Sequence, residues 1–144
     1  MRMRTRGIAF IAAVAVSTGA VATAAQRTYE GKIRGDDKAE VQLKVKVKRK
    51  GGMVVKRFTV RSFPLECQGG IRGRLQRASV SGSAPVNRKG RFTLAADNEM
   101  QSLTVRGRIK KGKASGTVEY DGMTNFITQV LNCGGNAWRW TASR

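Results

Sequence analysis

Hydrophobic and polar positions alternate along most of this chain. Val41, Leu43, Val45 and Val47 fall on one side of an extended segment, with Gln42, Lys44, Lys46 and Lys48 on the other. Period two over eight residues marks a half-buried strand. Gly51-Gly52 then predicts a two-residue turn with positive φ at both places, and the chain returns through Val54, Phe58 and Val60. That turn sets Val45 opposite Phe58, Leu43 opposite Val60, and Lys46 opposite Arg57, a like-charge pair that costs something. A second hairpin turns at Lys111-Gly112. It pairs Leu103 with Tyr120, Val105 with Val118, Gly107 with Gly116 and Ile109 with Ala114 on the inner side. Thr104 with Glu119, and Arg106 with Thr117, form the outer side. The facing glycines leave a dent of the kind a large ring fills, and Trp138 or Trp140 is the candidate.

Shorter strands are predicted over 28–33, 71–80 and 91–96. Pro64 and Pro85 fall between apolar runs, where proline breaks no ladder. Asp97-Asn98-Glu99 reads as a turn. One segment departs from the pattern. Met123, Phe126, Ile127, Val130 and Leu131 recur at helical spacing and predict a short helix near 122–132, capped by Asp121 and Gly134. Its β-branched residues Thr124, Ile127, Thr128 and Val130 argue for strand instead.

The first 25 residues carry a different message. Arg2, Arg4 and Arg6 precede an uncharged run from Gly7 to Ala25, apolar at first and then small. This predicts a signal peptide over 1–25, cleaved after Ala24 or Ala25, ahead of one exported domain over 26–144. Without paired arginines the general export route fits better than the twin-arginine one. An uncleaved anchor is the alternative, but a run so rich in Ala, Gly, Ser and Thr makes a weak membrane span. No second run is long enough to cross a bilayer, so the processed chain is expected to lack an integral membrane segment and to be secreted or associated with the cell envelope. Export changes the reading of the two cysteines: Cys67 and Cys133 are predicted to form one disulfide. On the chain-entropy model a loop of this length stabilises the fold by about 4 kcal/mol.

Charge narrows the functional classes. The chain has 28 Lys and Arg against 9 Asp and Glu, no histidine, and a formal charge of +19. Removing Arg2, Arg4 and Arg6 from that +19 leaves +16 for the exported part. Without histidine there is no ordinary proton shuttle near neutral pH, no Ser-His-Asp or Cys-His arrangement and no imidazole zinc site. Glu66, Glu119 and Asp121 are the least loop-like acids, and nothing in the sequence brings two of them together. Asp36-Asp37 and Asp97-Asn98-Glu99 lack the ligand spacing of a calcium loop. Gly69-Gly70 and Gly134-Gly135 precede no Lys-Ser or Lys-Thr pair, so no phosphate-binding glycine motif is present. No catalytic residue, metal or cofactor is therefore expected.

Basic stripes are the strongest remaining signal. Lys44, Lys46 and Lys48 share one strand face, as do Arg72 and Arg74, and Arg106, Arg108 and Lys110. Residues two apart in a strand lie about 6.7 Å apart, close to the charge spacing of an extended polyanion. Their bland interpretation is the wet face of half-buried strands, with lysine guarding edges. Aromatic residues are few and none lies within a stripe, so a base-stacking platform is missing. Trp138 and Trp140 are candidates for core or for a stacking surface.

The glycine-punctuated closing part has further signature residues: Gly90-Arg91-Phe92, Val105-Arg106-Gly107, Ala114-Ser115-Gly116-Thr117-Val118, Cys133-Gly134-Gly135 and Trp140-Thr141-Ala142-Ser143-Arg144. With Cys67 and Tyr29-Glu30-Gly31 upstream, this resembles a group of small secreted actinobacterial proteins with a Cys-x-Gly…Trp-x-Ala-Arg type ending. The present chain departs from it by a serine before the last arginine. The resemblance implies export and an all-β fold, and brings no activity, substrate or active-site residue.

The expectation is thus an all-β, single antiparallel β-sandwich or partly closed β-barrel of eight or nine strands, with one disulfide and room for one short helix. The expected function is non-enzymatic binding of an anionic polymer, such as teichoic acid, polysaccharide or non-specific nucleic acid, through basic strand faces. A cationic antimicrobial protein is one alternative. An enzyme or enzyme inhibitor is the other, with the 67–71 loop as its candidate site, for which Glu66 or Gln68 would have to line a pocket.

Overall fold

A computed structural model describes residues 25–126 and 129–144. The predicted signal peptide lies outside the described residues except for Ala25, which opens the first strand. Eight strands follow: β1 Ala25–Ile33, β2 Asp36–Val47, β3 Met53–Glu66, β4 Arg72–Pro85, β5 Arg91–Asp97, β6 Gln101–Lys110, β7 Lys113–Phe126 and β8 Gln129–Ser143. They form one sheet in the order β4-β3-β2-β1-β8-β7-β6-β5. Every pairing is antiparallel. Two four-strand meanders are therefore joined where β1 meets β8. The sheet curls until its outer strands approach each other, making a nearly closed barrel. At that seam Leu94 of β5 packs over Gly82 of β4.

The second predicted hairpin forms in the register read from its pattern, including Gly107 opposite Gly116. Lys111 and Gly112 both take positive φ, as a two-residue primed turn requires. The dent is filled by Trp140, which pairs with Gly116 and is 1% exposed. A Cβ on Gly107 would lie 2.8 Å from that indole and 2.7 Å from the Phe92 ring. Trp140 also meets Phe58, with ring centroids 5.1 Å apart. Trp138 packs only partly against the core.

The first hairpin differs from expectation. Its loop is not Gly51-Gly52 alone: the Gly51 amide donates to the Lys48 carbonyl, and the Lys48 amide donates to the Gly52 carbonyl. Arg49 and Lys50 make the turn, and Gly51 supplies the left-handed residue after it. With a bulge at Lys56, Val45 then meets Val55, Leu43 meets Phe58, and Arg57 faces Lys44 rather than Lys46. Pro64 also lies inside β3 rather than between strands. It is tolerated because β2 stops pairing with β3 at Arg61, which leaves that side of β3 without a ladder to break.

The helix expected near 122–132 is not found. Residues 122–126 and 129–132 are strand, pairing Gly122 with Cys133, Thr124 with Leu131 and Asn125 with Val130; residues 127 and 128 lie outside the described residues. β-branching prevails over the apolar spacing, which spans two strands: Met123 and Phe126 belong to β7, Val130 and Leu131 to β8. Gly134 caps no helix: it pairs with Asp121, and Gly135 and Asn136 form a bulge opposite Tyr120. The bulge shifts the inward set of β8 from odd positions (Leu131, Cys133) to even ones (Trp140, Ala142). Ser62, at φ 57°, does the same for β3, between Phe58 and Val60 on one side and Phe63 and Leu65 on the other. The Cys67–Cys133 disulfide ties these two irregular regions together across an isolated antiparallel bridge.

Candidate anion-binding surface

Because all neighbours are antiparallel, the β2–β3, β4–β5 and β6–β7 turns share one end of the barrel. The other four turns share the opposite end. Lys48, Arg49 and Lys50, then Arg88 and Lys89, then Lys110, Lys111 and Lys113 surround the three-turn end. Arg144 joins them, its amide bonded to the Gly112 carbonyl. No acid occurs in these turns. At the opposite end lie Asp36, Asp37, Glu66, Asp97, Glu99 and Asp121. The protein thus carries its charge asymmetrically along the barrel axis.

The three stripes fare differently on this frame. Lys44, Lys46 and Lys48 point outward from β2 and run into the basic end. Arg106, Arg108 and Lys110 point outward from β6 and run into the same end from across the barrel, four strands away. The two stripes therefore meet through the turns and do not share a sheet face. Arg72 and Arg74 lie at the opposite end. Both Arg74 terminal nitrogens donate to the Asp36 carboxylate, at 2.8 and 3.1 Å, in the one salt bridge among the described residues. Arg74 also donates to the Ser62 carbonyl at 2.8 Å, and Arg72 stands opposite Glu66 in the ladder. Arg74 is thus held within the fold, whereas Arg72 makes no ion pair among the described residues. Burial by itself raises the Asp36 pKa, but the Arg74 hydrogen bond, the Lys38 and Ala39 amides and the Arg74 charge outweigh it, so the carboxyl stays below its ordinary value.

Sequence reasoning passed over a second basic region on the outer face. Register places Lys32, Thr141, Ser115, Arg108 and Arg91 side by side across β1, β8, β7, β6 and β5. The next row is Gln42, Glu30, Ser143, Lys113 and Lys110, across β2, β1, β8, β7 and β6. The middle of these two rows, from β1 to β6, lines a shallow groove of about 650 Å³ over the junction of β1 and β8. The signal was present in Lys32 and Lys113, but only the non-local β1–β8 pairing joins them to the β6 stripe.

Glu66 and Gln68 line a concavity of about 380 Å³ beside the disulfide. Both are engaged within the fold: Gln68 accepts from the Asn132 amide at 2.9 Å, and Glu66 accepts from the Asn136 side chain. They strap the 67–71 loop to β8. Among the described residues no group of three His, Cys, Asp or Glu residues is placed to hold a metal ion.

The fold and its surface define a disulfide-clasped antiparallel barrel with one strongly basic end. No known protein family, characterised protein or solved structure matches the chain. The disulfide, and the lack among the described residues of any helix long and apolar enough to cross a membrane, are compatible with an extracellular protein.

Proposed function

We propose that this protein is an exported, non-enzymatic binding module that holds anionic polymers of the cell envelope or extracellular space at its basic end. The observation that carries the reading is the convergence of three basic turns that contain no acid, with the β2 and β6 stripes leading into them. A one-signed surface of this kind attracts polyanions, and bound counterions are released as the polymer docks. Binding should therefore be strong at low salt and fall steeply as salt rises.

The test is retention on an immobilised anionic polymer across a salt series. Arg106→Glu with Arg108→Glu and Lys110→Glu should lower both the retention and its salt slope, by about one unit of slope for each polymer charge that is no longer neutralised. Arg72→Ala should leave both unchanged. Retention that is equal at low and high salt would remove the proposal.

A membrane-active cationic protein fits less well. The exposed large apolar residues Ile71, Met100, Met123 and Val130 all lie toward the acidic end. Attraction of the basic end to anionic lipid would point them away from the bilayer. Vesicles of anionic lipid should accordingly remain sealed in the presence of the protein.

A further inference from the structure

The groove over the β1–β8 junction has two unlike walls. On the β6–β7 side stand Arg108, Lys110 and Lys113; on the β1 side stand Glu30 and Lys32, with Gln42 of β2 next to Glu30 in the ladder; Ser115, Thr141 and Ser143 lie between. Glu30 has no salt-bridge partner among the described residues. Lys32, two positions along β1, donates instead to the Asp37 carbonyl at 3.0 Å. The small residues Gly31, Ala114 and Ala142 complete the lining. Gly31 is required there, because a Cβ would run into the Thr141 carbonyl oxygen.

Neighbouring strands are about 4.8 Å apart, so Lys113 and Lys110, two and three strands from Glu30, stand about 10 and 14 Å across the sheet from it. A bare polyphosphate would satisfy the cations and be repelled by Glu30. A nucleic acid would find no aromatic side chain in the groove on which to stack a base. A chain whose anionic groups are flanked by hydroxyls would use both walls: its charge at Arg108, Lys110 and Lys113, its hydroxyls at Glu30, Gln42 and the Ser and Thr side chains. Resting on the polyanion reading above, we infer that this groove selects hydroxyl-bearing anionic polymers, either polyol phosphates or acidic polysaccharides, and that Glu30 is the selectivity residue.

The experiment compares affinities for poly(glycerol phosphate), polygalacturonate and inorganic polyphosphate of similar charge number, at one ionic strength. The unsubstituted protein should prefer one of the hydroxylated polymers to polyphosphate, and which of the two leads identifies the source. Glu30→Ala should weaken binding of the hydroxylated polymer about tenfold while strengthening that of polyphosphate. Glu30→Gln, which keeps a hydrogen-bond acceptor, should restore part of the loss. Glu30 is exposed, so an unchanged melting temperature verifies that each variant is folded. If Glu30→Ala strengthens binding of all three polymers alike, or polyphosphate binds most tightly to the unsubstituted protein, the inference falls while the polyanion reading stands. If none of the three is retained even at low salt, the polyanion reading itself falls.

Discussion

At the scale of single residues, two positions show how closely space and charge are matched. Gly107 sits beneath Phe92 and Trp140, so even a methyl group there must displace packed rings. Gly107→Ala should destabilise the fold by about 1–3 kcal/mol, measured by denaturant unfolding, as overpacked cores do. Asp36 is the other. Its lowered pKa means that its contribution to stability is present above about pH 4 and is lost as pH falls through the folded-state value. Asp36→Asn should cost about 1 kcal/mol at neutral pH, modest because Arg74 is partly exposed and screened. The gap between variant and parent should close below about pH 4 in a stability–pH profile. Had Asp36 been unpaired, the two profiles would run parallel.

At the scale of elements, β8 is where local pattern and final structure diverge. The apolar residues where it begins read as a helix because Met123 and Phe126 end β7 and Val130 and Leu131 open β8, and their spacing across the junction matches a helical period. Gly134, at φ 127° beside the Gly135–Asn136 bulge, has the Tyr120 carbonyl where a Cβ would have to sit. Gly134→Ala should cost more than about 2 kcal/mol, with loss of the tight packing around Tyr120 visible in near-ultraviolet circular dichroism. The disulfide secures the same region. Replacing both cysteines by serine should lower unfolding free energy by about 4 kcal/mol, and a reductant added to the parent protein should reproduce the loss. By contrast the β6–β7 hairpin was legible residue by residue. Its two-residue turn leaves no freedom in register, and its pattern is unbroken from Leu103 to Tyr120.

At the scale of the whole molecule, the decisive feature is the separation of charge between the two ends of the barrel. Lys44 to Lys48 and Arg106 to Lys110 gain their relation from strand direction alone, since even-numbered strands all arrive at the basic end. Arg72 and Arg74 resemble them in spacing but lie at the other end, where Asp36 and Glu66 await them. Salt dependence should distinguish the two groups: charge reversal at the basic end flattens the slope of binding against salt, whereas Arg72→Ala leaves it unaltered.

Alternation, glycine turns and a pair of cysteines determined by themselves that this chain forms an antiparallel sheet with a covalent clasp, because strand periodicity and turn conformation are local properties. Tertiary structure alone decided that Trp140 rather than Trp138 fills the glycine dent, that 122–126 and 129–132 are strand rather than helix, and that Lys32 and Lys113 border one groove. The first outcome depends on the β8 bulge, the second on the β7–β8 hairpin and the third on the β1–β8 pairing, whose partners are distant in sequence. A shift of one residue in register moves a side chain from the core to the surface.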